Sequence, residues 1–461
     1  MNSIQQANDE KIEQLNQAAI IPGWRFKIGA PEGAQAPDFN DSSWDWVKLG
    51  HNWSSKDGEA WFRATLNPPA QVEGIDLTGC RLEVDVFLPI GATIYINGVE
   101  RYREQSWADT RAIPLLLEEH DTPGQAIALT VRCNQGDGFG FFVSAGLHFS
   151  RLADSIFALD LVKSQFAFTH YLAAQDPEKQ AVWEQAAAVL DFAALSANRW
   201  DDWQSSVEQA RAVLSPFETE AKTYTCNLLA HSHIDMNWLW PMQETVDVCR
   251  RDFSTMDRLM ERYPEYHFSQ SQAATYRFME QDYPEIFECI RRRVAEGRWE
   301  ITANTWVEGD LNTAAGETLV RQILHARRYI GSKFGVQPLV CWEPDTFGHP
   351  ATYPQLLQKS GIPFYYFCRA GKRHPLFWWE GPDGSRVLGM QDPLGYGGTN
   401  TPSQIVTCMT DFNHRYGIRN ALYVYGAGDH GGGGTARDIE AARKIDAAPL
   451  MPRALPGTAT H

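Results

Sequence analysis

At 461 residues the chain is too long for one ordinary domain and predicts two or three, each large enough to bury a core. A net charge of −16 excludes a general phosphate-backbone binder, which needs a basic face, and leaves neutral ligands open. No apolar run is long enough to span a bilayer, so neither nucleic acid nor membrane is expected as a partner.

Met1 to Ala18 is polar and charged and lacks the hydrophobic core of a signal peptide. The eight cysteines are scattered without a Cys-x-x-Cys pair, which reads as reduced thiols in a cytoplasmic protein. From Gly23 to Phe149 short β-rich runs alternate with Gly, Pro and Asn, the pattern of a β-sandwich module over 1–150. Within it, Asn97-Gly98 after Ile94-Tyr-Ile96 signals a type I′ hairpin, because both central positions tolerate positive φ. Trp44, Trp46, Trp53 and Trp61 are candidates for stacking on rings, with core packing as the competing role. Residues 151–222 turn helical, with Ala- and Leu-rich apolar faces, and are expected to form a connector.

Beyond Thr223, strands and helices alternate over 223–446, which predicts an α/β domain built as an open or distorted β/α barrel. Val246 to Tyr263, Tyr283 to Gly297 and Gly316 to Ser332 are the helices. Several apolar runs end in polar clusters. Cys226 to Ala230 leads into His231-Ser-His-Ile-Asp-Met-Asn-Trp238, and Pro338 to Trp342 into Glu343-Pro-Asp-Thr-Phe-Gly-His349. Ala421 to Tyr425 leads into Gly426 to Gly434, and Trp299 to Ala303 delivers Trp306, Glu308 and Asp310. Ligands of parallel α/β folds bind beyond the carboxyl ends of strands, so these clusters should share one rim. His233 and Asp235 form a ligand pair that suits zinc, with capping and turn roles as the alternative. An aromatic beside carboxylates suits a sugar, which marks Trp238, Trp306 and Asp310 for substrate binding against a structural role for each. Lys372-Arg373-His374 and Phe377-Trp-Trp379 are expected to line the outer cleft.

On these motifs, from about Tyr224 to about Arg453, the chain resembles glycoside hydrolase family 38, the zinc-dependent retaining α-mannosidases, in their bacterial and vacuolar branch. The Tyr95-Ile-Asn-Gly-Val99 segment also looks like the galactose-binding-like modules found beside many glycosidase domains. The main resemblance implies a distorted seven-stranded barrel, α-mannoside oligosaccharides as substrates and self-association. It implies His233 and Asp235 as zinc ligands, with cobalt as an alternative ion, Asp345 as ligand and nucleophile, and Asp429 as acid/base. His231 and His349 then lie beside the ligands rather than among them. Retention requires the two carboxyl groups roughly 5–5.5 Å apart, Asp345 ionised and Asp429 protonated.

The family's fourth zinc ligand, a histidine in a Glu-x-His-Arg-Gly-like motif, has no counterpart here. The expectation is therefore the N-terminal part of an α-mannosidase, weak in metal binding and turnover, with a loosely ordered tail over 447–461. Rival expectations are a zinc amidase or deacetylase, in which Asp345 is only a ligand or base, and a non-catalytic carbohydrate-binding fragment. A mannosylglycerate-type hydrolase differs from the main reading only in aglycone.

Overall fold

The computed structural model describes residues 1–105, 108–111, 113–118, 124–136, 138–238, 240–371, 374–392, 394–426, 428 and 431–460. The chain divides into two compact units, Met1–Ala221 and Lys222–His461.

The first unit opens with a helix, Asn2–Asn16, where the sequence offered only a polar terminus. Two antiparallel sheets follow. One has six strands in the order Asp45–Val47, Trp24–Ile28, Ala60–Leu66, Ile127–Cys133, Ala92–Ile96 and Val99–Glu104. The other gathers Ala108–Asp109, Leu115–Glu118 and Ser144–Phe149 onto Leu82–Leu88. Strict alternation of buried and half-buried positions along Leu82–Leu88 gives that strand one core face. The Asn97-Gly98 turn has φ of 50° and 79° and joins paired strands, as the dipeptide predicts. Trp44, Trp53 and Trp61 are buried, so the core role wins for three of the four tryptophans, and only Trp46 is exposed. Helices Ser150–Ala173, Pro177–Val189 and Trp200–Leu214 complete this unit.

The second unit runs β1 (Thr225–His231), α1 (Met242–Arg262), β2 (Phe268–Gln270), α2 (Ala273–Asp282), α3 (Pro284–Ala295), β3 (Trp299–Ile301), α4 (Gly316–Phe334), β4 (Val340–Glu343), α5 (Tyr353–Lys359), β5 (Phe364–Phe367), β6 (Leu376–Glu380), β7 (Arg386–Gln391), α6 (Pro402–Tyr416), β8 (Asn420–Tyr425), α7 (Ala436–Ala447) and β9 (Arg453–Pro456). Local chemistry sets the helix ends. Thr401 caps α6 with Pro402 at its first position, Thr435 and Asp438 form a capping box on α7, and Gly335 closes α4 in the left-handed conformation. Helix α1 buries Val246, Cys249, Phe253, Met256 and Met260, a helical spacing that turns one face to the sheet.

The parallel strands form two sheets. One has the order β3-β2-β1-β8, with β9 also on β1, and the other the order β4-β5-β7-β6, in which β6 alone is antiparallel. Among the described residues no ladder joins these two sheets. The core between strands includes Leu229, Val340, Trp342, Tyr366 and Val424.

The expectation of a loose tail over 447–461 is corrected. Strand β9 runs parallel to β1 from Thr225↔Arg453 to Leu228↔Pro456, and Arg453 pairs with Asp446 at 2.7 Å. Beyond it Glu300 accepts the backbone amides of Ala459 at 2.5 Å and Thr460 at 3.0 Å. The prolines misled because Pro449 and Pro452 precede the ladder and Pro456 ends it, where a missing N–H costs little. Among the described residues, no helix is long and apolar enough to cross a membrane.

Candidate active site

Beyond the carboxyl ends of the strands lies a cavity of about 480 Å³, lined by His233, Asp235, Trp238, Gln272, Glu308, Asp310, Asp345, Phe347 and Arg369 among others. That volume is within the range of small-molecule sites. Each strand contributes through the turn that follows it. His233 and Asp235 follow β1, Gln272 follows β2, Glu308 and Asp310 follow β3, Asp345 follows β4 and Arg369 follows β5.

His233, Asp235 and Asp345 each turn one ligand-type atom inward, and these atoms lie within 4.8 Å of one another. His233 Nε2 is 3.2 Å from Asp235 Oδ1 and 3.9 Å from Asp345 Oδ2. The turn carrying Asp235 is held from behind by Thr245 on α1, whose hydroxyl donates to the Asp235 carbonyl and accepts from the Asn237 amide. Asp345 is steered through its other oxygen. Arg369 Nε donates to Oδ1, Tyr396 donates to the same atom at 3.0 Å, and the Arg369 guanidinium lies over the Phe347 ring.

Glu308 joins these pieces. Its Oε1 accepts from the amides of Asp345 at 2.6 Å and Thr346 at 2.8 Å and from the Thr346 hydroxyl. Its Oε2 faces His233 Nδ1 at 3.5 Å. Gln272 bridges the same segments from below, donating to the Ile234 carbonyl at 2.7 Å and accepting from the Glu308 amide at 3.0 Å. It does so from a left-handed backbone, φ 63°, which a glutamine adopts only when its surroundings impose it.

Burial lowers the His233 imidazole's proton affinity, but Glu308, Asp235 and Asp345 outweigh it and hold the pKa above its usual value. Burial also raises the Glu308 carboxyl. Beneath the site Glu343 is pushed up to about 8 by burial and accepts from Tyr353 and Tyr365. Three carboxylates around one imidazole, answered by Arg369, make a pocket whose charge favours a cation.

Glycines tie the third rim segment to this frame. Gly431 donates to the His233 carbonyl at 2.8 Å, and Gly432 to Asp252 Oδ2, which also accepts from Ser232. Asp429 lies outside the described residues, as do Lys372 and Arg373.

His233, Asp235, Asp345, Trp238 and Asp310 are brought together as the sequence suggested. Trp306 is not. Its ring packs edge-on against Tyr329 and does not line the cavity, because the chain turns between Trp306 and Glu308. Phe377 and Trp379 pack against the core under β5 and β7 rather than on the cavity. His231 is buried and neutral, its pKa pushed down to about 3 by burial, with Nδ1 2.9 Å from the Ser269 carbonyl. His349 sits between the Tyr365 hydroxyl and the Arg369 carbonyl. Gln272, Arg369 and Tyr396 were missed. No local motif marks them, since each matters only through what folds against it.

Residues 223–461 match the glycosyl hydrolases family 38 N-terminal domain. Alpha-mannosidase G of Dictyostelium discoideum is 33% identical over 271 residues, covering 57% of this chain and 25% of that protein. Human alpha-mannosidase 2C1 is 33% identical over 238 residues, 50% of this chain and 23% of that protein. The chain thus spans about a quarter of the length of these relatives. A crystal structure of an alpha-mannosidase from Enterococcus faecalis V583 overlaps 51% of this chain and 28% of its own at 22% identity, with a TM-score of 0.46. With the family's domain matched over more than half of its residues, the chain belongs to glycoside hydrolase family 38 and carries the N-terminal domain of that family.

Proposed function

We propose that this chain carries the reacting centre of a zinc-dependent, retaining α-mannosidase acting on terminal α-mannosidic bonds of oligosaccharides. The observation that carries the reading is the convergence of His233, Asp235 and Asp345 on one point of a sugar-sized cavity. Donor atoms around a tetrahedral zinc with bonds of about 2.0–2.1 Å lie roughly 3.4 Å apart. The separations of 3.2 and 3.9 Å reach that with small side-chain adjustment. In this reading His233, Asp235 and Asp345 hold zinc, cobalt being the alternative, and the ion when bound supplies Lewis acidity that orients sugar hydroxyls and steadies the transition state.

The rest of the chemistry belongs to side chains. Asp345, oriented by Arg369 and Tyr396, attacks the anomeric carbon as the bond to the aglycone oxygen breaks. Asp429 gives its proton to that oxygen, then takes one from the water that cleaves the sugar–Asp345 ester. Trp238 offers a face to the sugar ring and Asp310 accepts from its hydroxyls. A zinc amidase is not favoured by the family match. The alternation of strands and helices supports the distorted seven-stranded barrel as the frame of this site, and the antiparallel sheets of the first unit support the β-sandwich. Free thiols support a cytoplasmic setting.

The test is zinc content of the purified chain together with hydrolysis of an aryl α-mannoside, with Asp345→Ala as control and a fluorinated mannosyl probe as trap. Zinc-dependent turnover and labelling of Asp345 are expected. Stoichiometric zinc without turnover or label would overturn the mannosidase reading in favour of a hydrolase of another bond or a binding fragment.

A further inference from the structure

Glu308, which the sequence brings to the rim without assigning it a role, has a side chain that is 5% exposed. A carboxylate this deep is stable only if its oxygens are used. Oε1 is saturated by three donors, all from the Asp345-Thr346 turn. Oε2 has no hydrogen-bond partner among the described residues, and neither does Nδ1 of His233, which is 2% exposed. The two atoms face each other at 3.5 Å. That is slightly long for N–H···O, and a small rotation of either group closes it.

A neutral imidazole carries one N–H. With the proton on Nε2, the Nδ1 lone pair would face Glu308 Oε2, and the ring would have no lone pair for the point shared with Asp235 and Asp345. With the proton on Nδ1, Glu308 accepts it and Nε2 is free to ligate. Metal-bound histidines generally donate their other ring N–H to such a carboxylate, which fixes both tautomer and ring plane.

We infer that Glu308 is the positioning residue of this centre, one oxygen taking the His233 Nδ1 proton while the other pins the backbone of the Asp345-Thr346 turn. A single carboxylate thereby sets two of the three ligands relative to each other. The inference rests on reading His233 as a metal ligand through Nε2.

Glu308→Gln separates the two halves of the role. The amide oxygen can keep the Asp345 and Thr346 amides, which leaves an NH2 group facing Nδ1 where an acceptor is needed. Zinc affinity, measured on the full chain by competition with a chromophoric chelator, is expected to fall ten- to a hundredfold. Backbone amide exchange at Asp345 and Thr346 in the metal-free chain should stay slow in Glu308→Gln and rise at least tenfold in Glu308→Ala. Unchanged zinc affinity in Glu308→Gln would overturn the inference. So would unchanged amide exchange in Glu308→Ala. If the unmodified chain takes up no zinc, the metal reading fails by itself, and the amide exchange still decides whether Glu308 pins the turn. Urea unfolding of each metal-free variant separates lost affinity from lost fold, and a variant that does not fold leaves the other to decide.

Discussion

Gly431→Ala tests how the glycine segment is fastened to the site. Gly431 has φ +74°, and a Cβ there would stand 2.0 Å from Asp252 Oδ2 and 3.0 Å from Val248 Cγ1. Left-handed backbone costs an alanine about 1–2 kcal/mol. The steric part is larger. Asp252 is buried, with Oδ2 accepting from Ser232 and Gly432 and Oδ1 from Arg251 at 2.9 and 2.7 Å, so it cannot move without breaking a charge-assisted bond. Losing one such bond costs about 1.5–3 kcal/mol, which brings the total to about 2.5–5 kcal/mol. Gly417→Ala is the control, because its φ of +67° is similar but nothing lies within 4 Å of the added carbon. It should cost only the backbone part. Urea unfolding of both variants, compared at unchanged slope, measures the difference. A Gly431→Ala cost within about 0.5 kcal/mol of the Gly417→Ala cost would refute the clamp. Aryl mannoside turnover should fall in Gly431→Ala and hold in Gly417→Ala, since the Gly431 amide donates to the His233 carbonyl.

Asp392 is raised by burial from 3.8 to about 6, against the hydrogen bond from Tyr366. The folded chain therefore keeps a proton there that the unfolded chain has lost, and stability drops between pH 4 and 6 by on the order of 3 kcal/mol at 1.36 kcal/mol per unit. Asp392→Asn should remove that slope from urea midpoints, and an unchanged slope would assign it elsewhere. Trp238 is 63% exposed. Its replacement by alanine should raise the KM for mannosides at a stability cost under about 0.5 kcal/mol. Trp306→Ala should instead lose more than about 1 kcal/mol through its contact with Tyr329, and a pure KM effect would restore it to the substrate wall. Glu300→Ala should speed amide exchange at Ala459 and Thr460 while leaving β9 protected, and faster exchange throughout β9 would show the strand to depend on that carboxylate.

Much of the centre was legible because its chemistry is local in the chain. His233 and Asp235 are two residues apart on one turn, and Asp345 follows a strand, so residue type and strand ends sufficed to bring them to one rim. The Asn97-Gly98 hairpin was readable for the same reason, since two consecutive residues carry the whole conformational requirement. Trp306 and the tail could not be placed from the sequence because their surroundings depend on partners distant in sequence. An indole beside carboxylates looks the same whether it meets a sugar or Tyr329, and a proline-spaced tail reads as loose until β1 supplies a ladder.

The sequence by itself determined which atoms are available for chemistry and at which strand ends they emerge. Only the tertiary structure decided which of them are held. Glu308 is 75 residues from His233 and 37 from Asp345, and Arg369 reaches Asp345 across 24. Such pairings follow from how helices and strands pack, because a hydrogen bond depends on distances of a few ångströms that no residue spacing encodes once the chain has turned through a whole β/α unit.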